Sequence, residues 1–207
     1  MSLHRLLRLP ARLFSHLLLD QSYQAYYSAE EWDRKYGKEH YDLNVPMEDG
    51  RYGALMMLLQ RYDRGGPILD AGCGDGLLQE RYRPFSASLL VGIDYSAVAI
   101  DAARGRQVSN AEFATADFAT FRAERPYAVI VFNEALYYIE NYMDVLETFE
   151  RSLKADGVII VSMFDTLVTK RIWKRLSKRY PVVQGIRIKD HASGRSWTMK
   201  VFAKAGQ

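Results

Sequence analysis

Seven consecutive residues, Asp70-Ala71-Gly72-Cys73-Gly74-Asp75-Gly76, set three glycines at alternate positions behind an acid. Glycine lacks a Cβ, so such a loop turns tightly and lets a ligand approach its backbone. Asp94 stands 18 positions after Gly76, at the end of the apolar run Leu90-Val91-Gly92-Ile93. An acid so placed can accept both hydroxyls of a ribose. Asp117 closes a third run in the same manner. Three acids at the ends of three successive runs point to a nucleoside-containing ligand. A dinucleotide fingerprint, G-x-G-x-x-G, requires glycine at position 77. Leu77 stands there, which disfavours a nicotinamide dehydrogenase.

These residues must be positioned by an α/β framework. Residues 68–71, 89–94, 112–116, 127–132 and 158–164 form short apolar runs, as strands buried on both faces do. Helical stretches separate them, at 77–82, 97–104, 141–154 and 167–178. Strand–helix alternation predicts a mostly parallel, Rossmann-like sheet with helices on both faces. Two further strands, 182–188 and 197–203, have only a turn between them. The last strand is therefore expected to run antiparallel, giving seven in all. In front of the sheet Tyr52, Leu55, Met56, Leu59 and Tyr62 share one helical face. Arg64-Gly65-Gly66-Pro67 ends that helix. Residues 1–47 read as an N-terminal helical cap and 48–207 as the main domain.

Residues 68–76 resemble motif I of class I S-adenosylmethionine-dependent methyltransferases, (V/I)-L-D-x-G-C-G-x-G, at every position. The resemblance extends to residue 163 closely and to the last two strands loosely. It implies that Asp70, Ala71, Gly72, Gly74 and Gly76 form the cofactor loop, with Asp70 holding the loop by accepting backbone N–H bonds. It implies that Asp94, beside Tyr95, takes the ribose. Asp117 would meet the adenine amino group and the Phe118 backbone a ring nitrogen. Asn133-Glu134-Ala135-Leu136-Tyr137-Tyr138 would lie beside the sulfonium. Leu153-Lys154-Ala155-Asp156-Gly157 is similar to the family's L-K-P-G-G turn, with Ala155 and Asp156 as departures. Residues 133–139 are also similar to nodulation-type N-methyltransferases. Arg51, near the start of its helix, is a candidate partner for the methionine carboxylate.

Methyl transfer from a sulfonium is an in-line displacement, so the protein mainly aligns the reactants and excludes water. A general base assists an acceptor that does not lose its proton readily. Glu134 is the first candidate and His191, in the turn before the last strand, the second. His40 and Tyr41 of the cap are further candidates. Tyr137, Tyr138, Trp32 and Tyr41 are candidate acceptor contacts, within a cap also rich in Tyr26, Tyr27 and Tyr36. Such aromatics can line a pocket and face a cation. After the fourth strand Asn133-Glu134-Ala135-Leu136 lacks the prolines of an N-P-P-Y motif, which sets aside base and glutamine N-methylation. Asn133 and Asp165-Thr166 lack the ligands of a catechol-type magnesium site, and no metal is expected.

Composition bounds the rest. Apolar residues make up 48% and charged residues 26% of 207, as in soluble globular proteins. One cysteine cannot form an internal disulfide, which fits a cytoplasmic location. Residues 1–19 carry Arg5, Arg8 and Arg12 and no acid, whereas the remainder balances. A balanced body argues against nucleic-acid binding. No apolar run is long enough to span a membrane. The N-terminal segment has the charge of a signal peptide but lacks its apolar length and a small-residue cleavage site. Its leucines recur at helical spacing, which suits a cap helix, with a membrane-surface or oligomer-forming helix as the alternative. Lys170, Arg171, Lys174, Arg175, Lys178 and Arg179 share one helix face.

The expected activity is methylation of an oxygen or nitrogen on a small-molecule metabolite by S-adenosylmethionine, with S-adenosylhomocysteine as product. An RNA or protein acceptor met by the basic helix 170–179 is the second reading. A non-catalytic cofactor-binding or partner protein is the third.

Overall fold

The computed structural model describes residues 27–38 and 46–206. The expected helix over the N-terminal leucines, along with Tyr26, His40 and Tyr41, lies outside the described residues. Helices α1 (Ala29–Lys38) and α2 (Pro46–Tyr62) precede a single seven-stranded sheet. Its strands are β1 (Ile68–Ala71), β2 (Leu90–Asp94), β3 (Ala111–Thr115), β4 (Tyr127–Asn133), β5 (Leu153–Phe164), β6 (Val182–Lys189) and β7 (Ser196–Ala203). Helices α3 (Leu77–Tyr82), α4 (Ala97–Gly105), α5 (Tyr142–Arg151) and α6 (Leu167–Arg179) fall between them. The strand order is β3-β2-β1-β4-β5-β7-β6. Pairing from β3 through β5 is parallel, and β7 is antiparallel to both β5 and β6. The expected seven-stranded, mostly parallel sheet is thus the observed one. No helix among the described residues is long and apolar enough to cross a membrane.

Period-two alternation splits the strands between two cores. Leu69, Ile130, Phe132 and Val161 face Val145, Leu146 and Phe149 of α5 and Ile172 and Leu176 of α6. Ile68, Val129, Val131 and Ile160 face Leu55, Leu58 and Leu59 of α2 and Leu77 and Leu78 of α3. Strands buried on both sides favour apolar residues at successive positions, which is why β4 reads as a continuous run and β1 as one broken only by the buried Asp70. Strand β3 lies at the sheet edge, and its residues alternate with exposure instead.

Local sequence sets the helix starts. Ser96 caps α4, its hydroxyl accepting from the Ala99 N–H at 3.1 Å. Thr166 and Thr169 form a reciprocal box at the start of α6, at 3.0 and 2.8 Å. Two boundaries differ from expectation. Helix α5 ends at Arg151, and the Ser152 N–H bonds to the Phe149 carbonyl at 2.9 Å. The run 153–157, read from sequence as a turn, is the first part of β5, with Leu153 opposite Tyr127. The register then shifts between Tyr127 and Val129. Glycine at 157 relieves a tight approach there, since a Cβ would lie 3.1 Å from the carbonyls of Tyr127 and Ala128.

Strand order reverses beside β1: the chain proceeds outward to β2 and β3, then returns to β4. Such a switch point opens a crevice at the carboxyl ends of the strands. The loop after β1 and the segment after β4 flank it.

Candidate active site

A cavity of about 390 Å³ occupies this crevice, within the range of small-ligand sites. Gly72 and Gly74 form part of its wall. The N–H groups of Gly72 and Cys73 both donate to the Ile93 carbonyl, at 2.8 and 3.0 Å, tying the loop to β2. Gly72 has φ 85°, and a Cβ there would collide with that of Ala135. Only glycine keeps this approach between the β1 loop and the β4 segment open.

Asp94 ends β2 and is nearly buried in the wall. Its carboxylate accepts the Gly74 N–H at 2.9 Å and the Ser96 N–H at 3.0 Å. Burial raises its pKa, while these backbone donors oppose the rise. Asp33 of α1 adds a second carboxylate at the same helix start: it accepts from the Ser96 hydroxyl and from the Val98 N–H at 3.2 Å. This contact seats α1 on α4. Asp117 and Phe118 follow β3 and line the same cavity. Asp117 accepts the Ala119 N–H at 2.9 Å. Tyr95 lines the wall with a partly exposed ring.

On the β4 side, Arg51 of α2 is 1% exposed and lines the cavity. It donates to the Asn133 side-chain carbonyl and stacks 4.6 Å from the Tyr52 ring. Glu134 adopts φ 56°, a left-handed conformation that side chains other than glycine resist. Its carboxylate accepts from the Tyr137 hydroxyl, the Ser162 hydroxyl and the Phe164 N–H, each at 3.0 Å. Burial raises its pKa, and the nearby Arg51 charge opposes that.

Aromatic rings line the cavity on the α1 side and beyond β4. Trp32 meets Tyr138 edge-on at 5.1 Å and Tyr27 at 5.1 Å. Tyr137 and Tyr138 lie 4.5 Å apart. Tyr36 approaches the loop closely enough that a Cβ on Gly74 would be 2.9 Å from its hydroxyl.

The structure therefore gathers Gly72, Gly74, Asp94, Tyr95, Asp117, Phe118, Asn133, Arg51, Glu134, Trp32, Tyr137 and Tyr138 around one cavity. Four expected site residues stand differently. Ala71 is fully buried inside β1, and Gly76 caps α3 with φ 80°; neither is in the wall. Asp70 does not hold the loop through backbone donors. It accepts from the Gln79 side chain at 3.0 Å, and its other oxygen has no partner among the described residues. Burial pushes its carboxyl up to about 7. His191 sits in the exposed turn between β6 and β7, outside the wall. The turn is at the expected end of the sheet, but Arg195 and Trp197 of the same hairpin are the residues that reach the cavity. Neither was singled out from sequence, and period-two spacing ahead of the last strand was the available signal. Asp33 was also missed, because its role depends on α1 crossing the start of α4.

The wall suits S-adenosylmethionine: a glycine cradle that a Cβ would fill, two carboxylates at one end, and aromatic faces beyond. Comparisons with known proteins agree. Residues 48–205 match the family model described as a methyltransferase domain. Trans-aconitate 2-methyltransferase of Rhizobium rhizogenes (strain K84) is 31% identical over 113 residues, 53% of this chain and 41% of that protein. The enzyme of the same name from Methylobacterium radiotolerans is 31% identical over 147 residues, 67% of this chain and 55% of that protein. The chain spans about half the length of these curated relatives. The N-methyltransferase NodS from Bradyrhizobium japonicum WM9, solved with S-adenosylhomocysteine, superposes with a TM-score of 0.73 at 20% identity, over 86% of this chain and 98% of that one. The domain match spans most of the chain, and with it the chain belongs to the class I S-adenosylmethionine-dependent methyltransferases.

Proposed function

We propose that this protein methylates an oxygen or nitrogen of a small-molecule metabolite in the cytoplasm. The observation that carries this reading is one cavity uniting the glycine cradle, Asp94, Asp117 and an aromatic lining. A concave space of about 390 Å³ is of the size that small-ligand sites have. The names of the trans-aconitate relatives support a small acceptor as well.

S-adenosylmethionine, when bound, supplies an electrophilic methyl on a sulfonium. Asp94 accepts ribose hydroxyls, and Asp117 with the Phe118 backbone holds the adenine. Gly72 and Gly74 admit the donor close to the backbone. Arg51 and Asn133 hold the methionine end through charge and an amide. Trp32, Tyr137 and Tyr138 exclude water and confine the acceptor. Glu134 acts as a positioning residue, because its carboxylate already gathers three donors from the segment after β4 and from β5. Three donors leave one of a carboxylate's roughly four acceptor positions, so service as a general base would draw on that one.

Calorimetric titration with S-adenosylmethionine, S-adenosylhomocysteine and NAD tests the cofactor. Binding of the first two but not of NAD is expected, followed by turnover in a metabolite screen. Binding without turnover across such a screen would favour a partner or sensor role. A second reading, an RNA or protein acceptor, draws on α6. Lys170, Arg171, Lys174, Arg175, Lys178 and Arg179 are all exposed, opposite a buried face of Val168, Ile172, Trp173 and Leu176. Methylation of tRNA or a protein extract, with no metabolite turned over, would establish it.

A further inference from the structure

The near balance of acids and bases along the chain hides a strong polarity. Residues 165–207 hold eleven basic and two acidic residues, whereas the first 164 hold 17 basic and 23 acidic. The cationic stretch forms one side of the molecule: α6 with the edge strands β6 and β7.

Helix α6 buries Val168, Ile172, Trp173 and Leu176 and turns six cations to solvent. Over 13 residues that face runs about 20 Å. Arg179 is paired with Glu147 and Glu150, at 3.7 and 3.9 Å, and Arg175 lies 5.4 Å from the Tyr142 ring. No acid among the described residues pairs with Lys170, Arg171, Lys174 or Lys178. The sheet edge extends the charge. Phe202 of β7 packs against Trp173 of α6, with ring centroids 6.2 Å apart. Period two puts Lys200 on the same side, and its ammonium donates to the Ser177 hydroxyl of α6 at 3.0 Å. Pairing carries this side to β6, where Arg187 lies opposite Thr198 and the exposed Lys189 opposite Ser196. The two acids of the stretch are engaged locally. Asp165 meets Arg187, Ser196 and Thr198, each at 2.7 Å, and Asp190 accepts the Ser193 N–H at 2.9 Å.

Aliphatic side chains border the cations. Leu167, the first residue of α6, is 61% exposed, and Val182, just beyond its end, is 44% exposed. Val182 pairs with Phe202, which puts it on the α6 side of the sheet. Trp173, Tyr180, Trp197 and Phe202 are all buried, so this face offers no exposed ring on which a base could stack. Cations flanked by aliphatic ends are what the interface of an anionic bilayer takes up.

We infer that the α6 face docks on a bilayer surface rich in anionic headgroups. Lys170, Arg171, Lys174 and Lys178 meet the headgroups, and Leu167 and Val182 reach the acyl boundary. The inference is independent of the methyl-transfer reading.

The full chain is co-sedimented with phosphatidylcholine vesicles, with and without phosphatidylglycerol, in about 0.1 M and about 1 M salt. Binding is expected to the anionic vesicles alone, and to be lost at high salt. Each cation near the surface is expected to contribute about fivefold. K170Q/R171Q/K174Q/K178Q should therefore weaken binding about a hundredfold or more. R61Q/R64Q/R104Q/R122Q removes the same charge from exposed positions elsewhere and should change binding by less than about threefold, because distant charges are screened. L167Q/V182Q should weaken it about fivefold through lost apolar burial. An unchanged Tm verifies that each variant is folded. No partition onto anionic vesicles, equal partition onto neutral ones, equal loss in the two charge sets, or no response to L167Q/V182Q overturns the proposal. Complete release of the protein from vesicles by transfer RNA at equal phosphate concentration also overturns it, and would make the face a polynucleotide site.

Discussion

Asp94 ties the glycine loop to the start of α4 and stands in the cavity wall, where we propose that it meets the ribose. Its two oxygens hold the Gly74 and Ser96 N–H groups and face the cavity where ribose hydroxyls are expected. Replacing it with alanine should weaken S-adenosylhomocysteine binding about 10- to 100-fold by calorimetry, the worth of one or two hydrogen bonds to a charged group. Unchanged affinity would remove Asp94 from the ribose site. Gly72 makes a steric demand of a different kind. Gly72→Ala combines a left-handed φ with a collision against Ala135, so a loss of roughly 2 kcal/mol or more is expected in urea unfolding. Glu134→Gln keeps the shape but turns an amide N–H₂ toward groups that donate. A drop in kcat with little change in cofactor affinity is expected, because the Tyr137 and Phe164 contacts lie on the side proposed for the acceptor.

At the scale of elements, helix starts and the last hairpin do most of the positioning. The reciprocal Thr166–Thr169 box begins α6 directly after β5, close to Phe164. Thr166→Ala should cost about 1 kcal/mol, read as a lower unfolding midpoint with an unchanged slope. No change would mean that packing of Val168, Ile172 and Leu176 alone sets the start of that helix. The β6–β7 hairpin has a different effect. Without a crossover helix, β7 enters between β5 and β6, and this brings Arg195 and Trp197 to the same sheet end as the cofactor loop. Helix α1 closes the opposite side through Asp33, which ties it to the first turn of α4.

For the molecule as a whole, the buried Asp70 links stability to pH. Its folded value, about 7, lies above the ordinary 3.8. A carboxyl shifted upward favours the folded state at low pH. The contribution is complete below 3.8 and is lost as pH rises to about 7. Tm should therefore fall across that interval more steeply in the unmodified protein than in Asp70→Asn. Parallel profiles would show that Asp70 ionises normally. Ligand binding should act in the opposite sense. S-adenosylhomocysteine at a hundredfold excess over its Kd should stabilise the fold by about 2.7 kcal/mol, seen as a raised Tm that NAD does not reproduce.

Patterns local to the chain determined most of the framework. Nearly continuous apolar runs at β1 and β4 announced strands covered on both faces, because burial on two sides favours apolar residues at successive positions, with the buried Asp70 as the departure in β1. The glycine loop and the acids after β2 and β3 marked one wall of the cavity, since a parallel sheet carries its ligands where those strands stop. The aromatics at 32, 137 and 138 were legible as a group, though their edge-on contacts were not. Other features depended on partners distant in sequence. Asp70 lies beside Gln79 and takes no backbone donor, which only the packing of α3 on β1 decides. Glu134 meets Ser162 and Phe164 across 28 and 30 residues, so its commitment to three donors could not be read from its neighbours. His191 and Arg195 share one short turn, and sequence alone does not tell which reaches the cavity. Only the folded hairpin decided that: Arg195 borders the cavity, and His191 stays outside its wall.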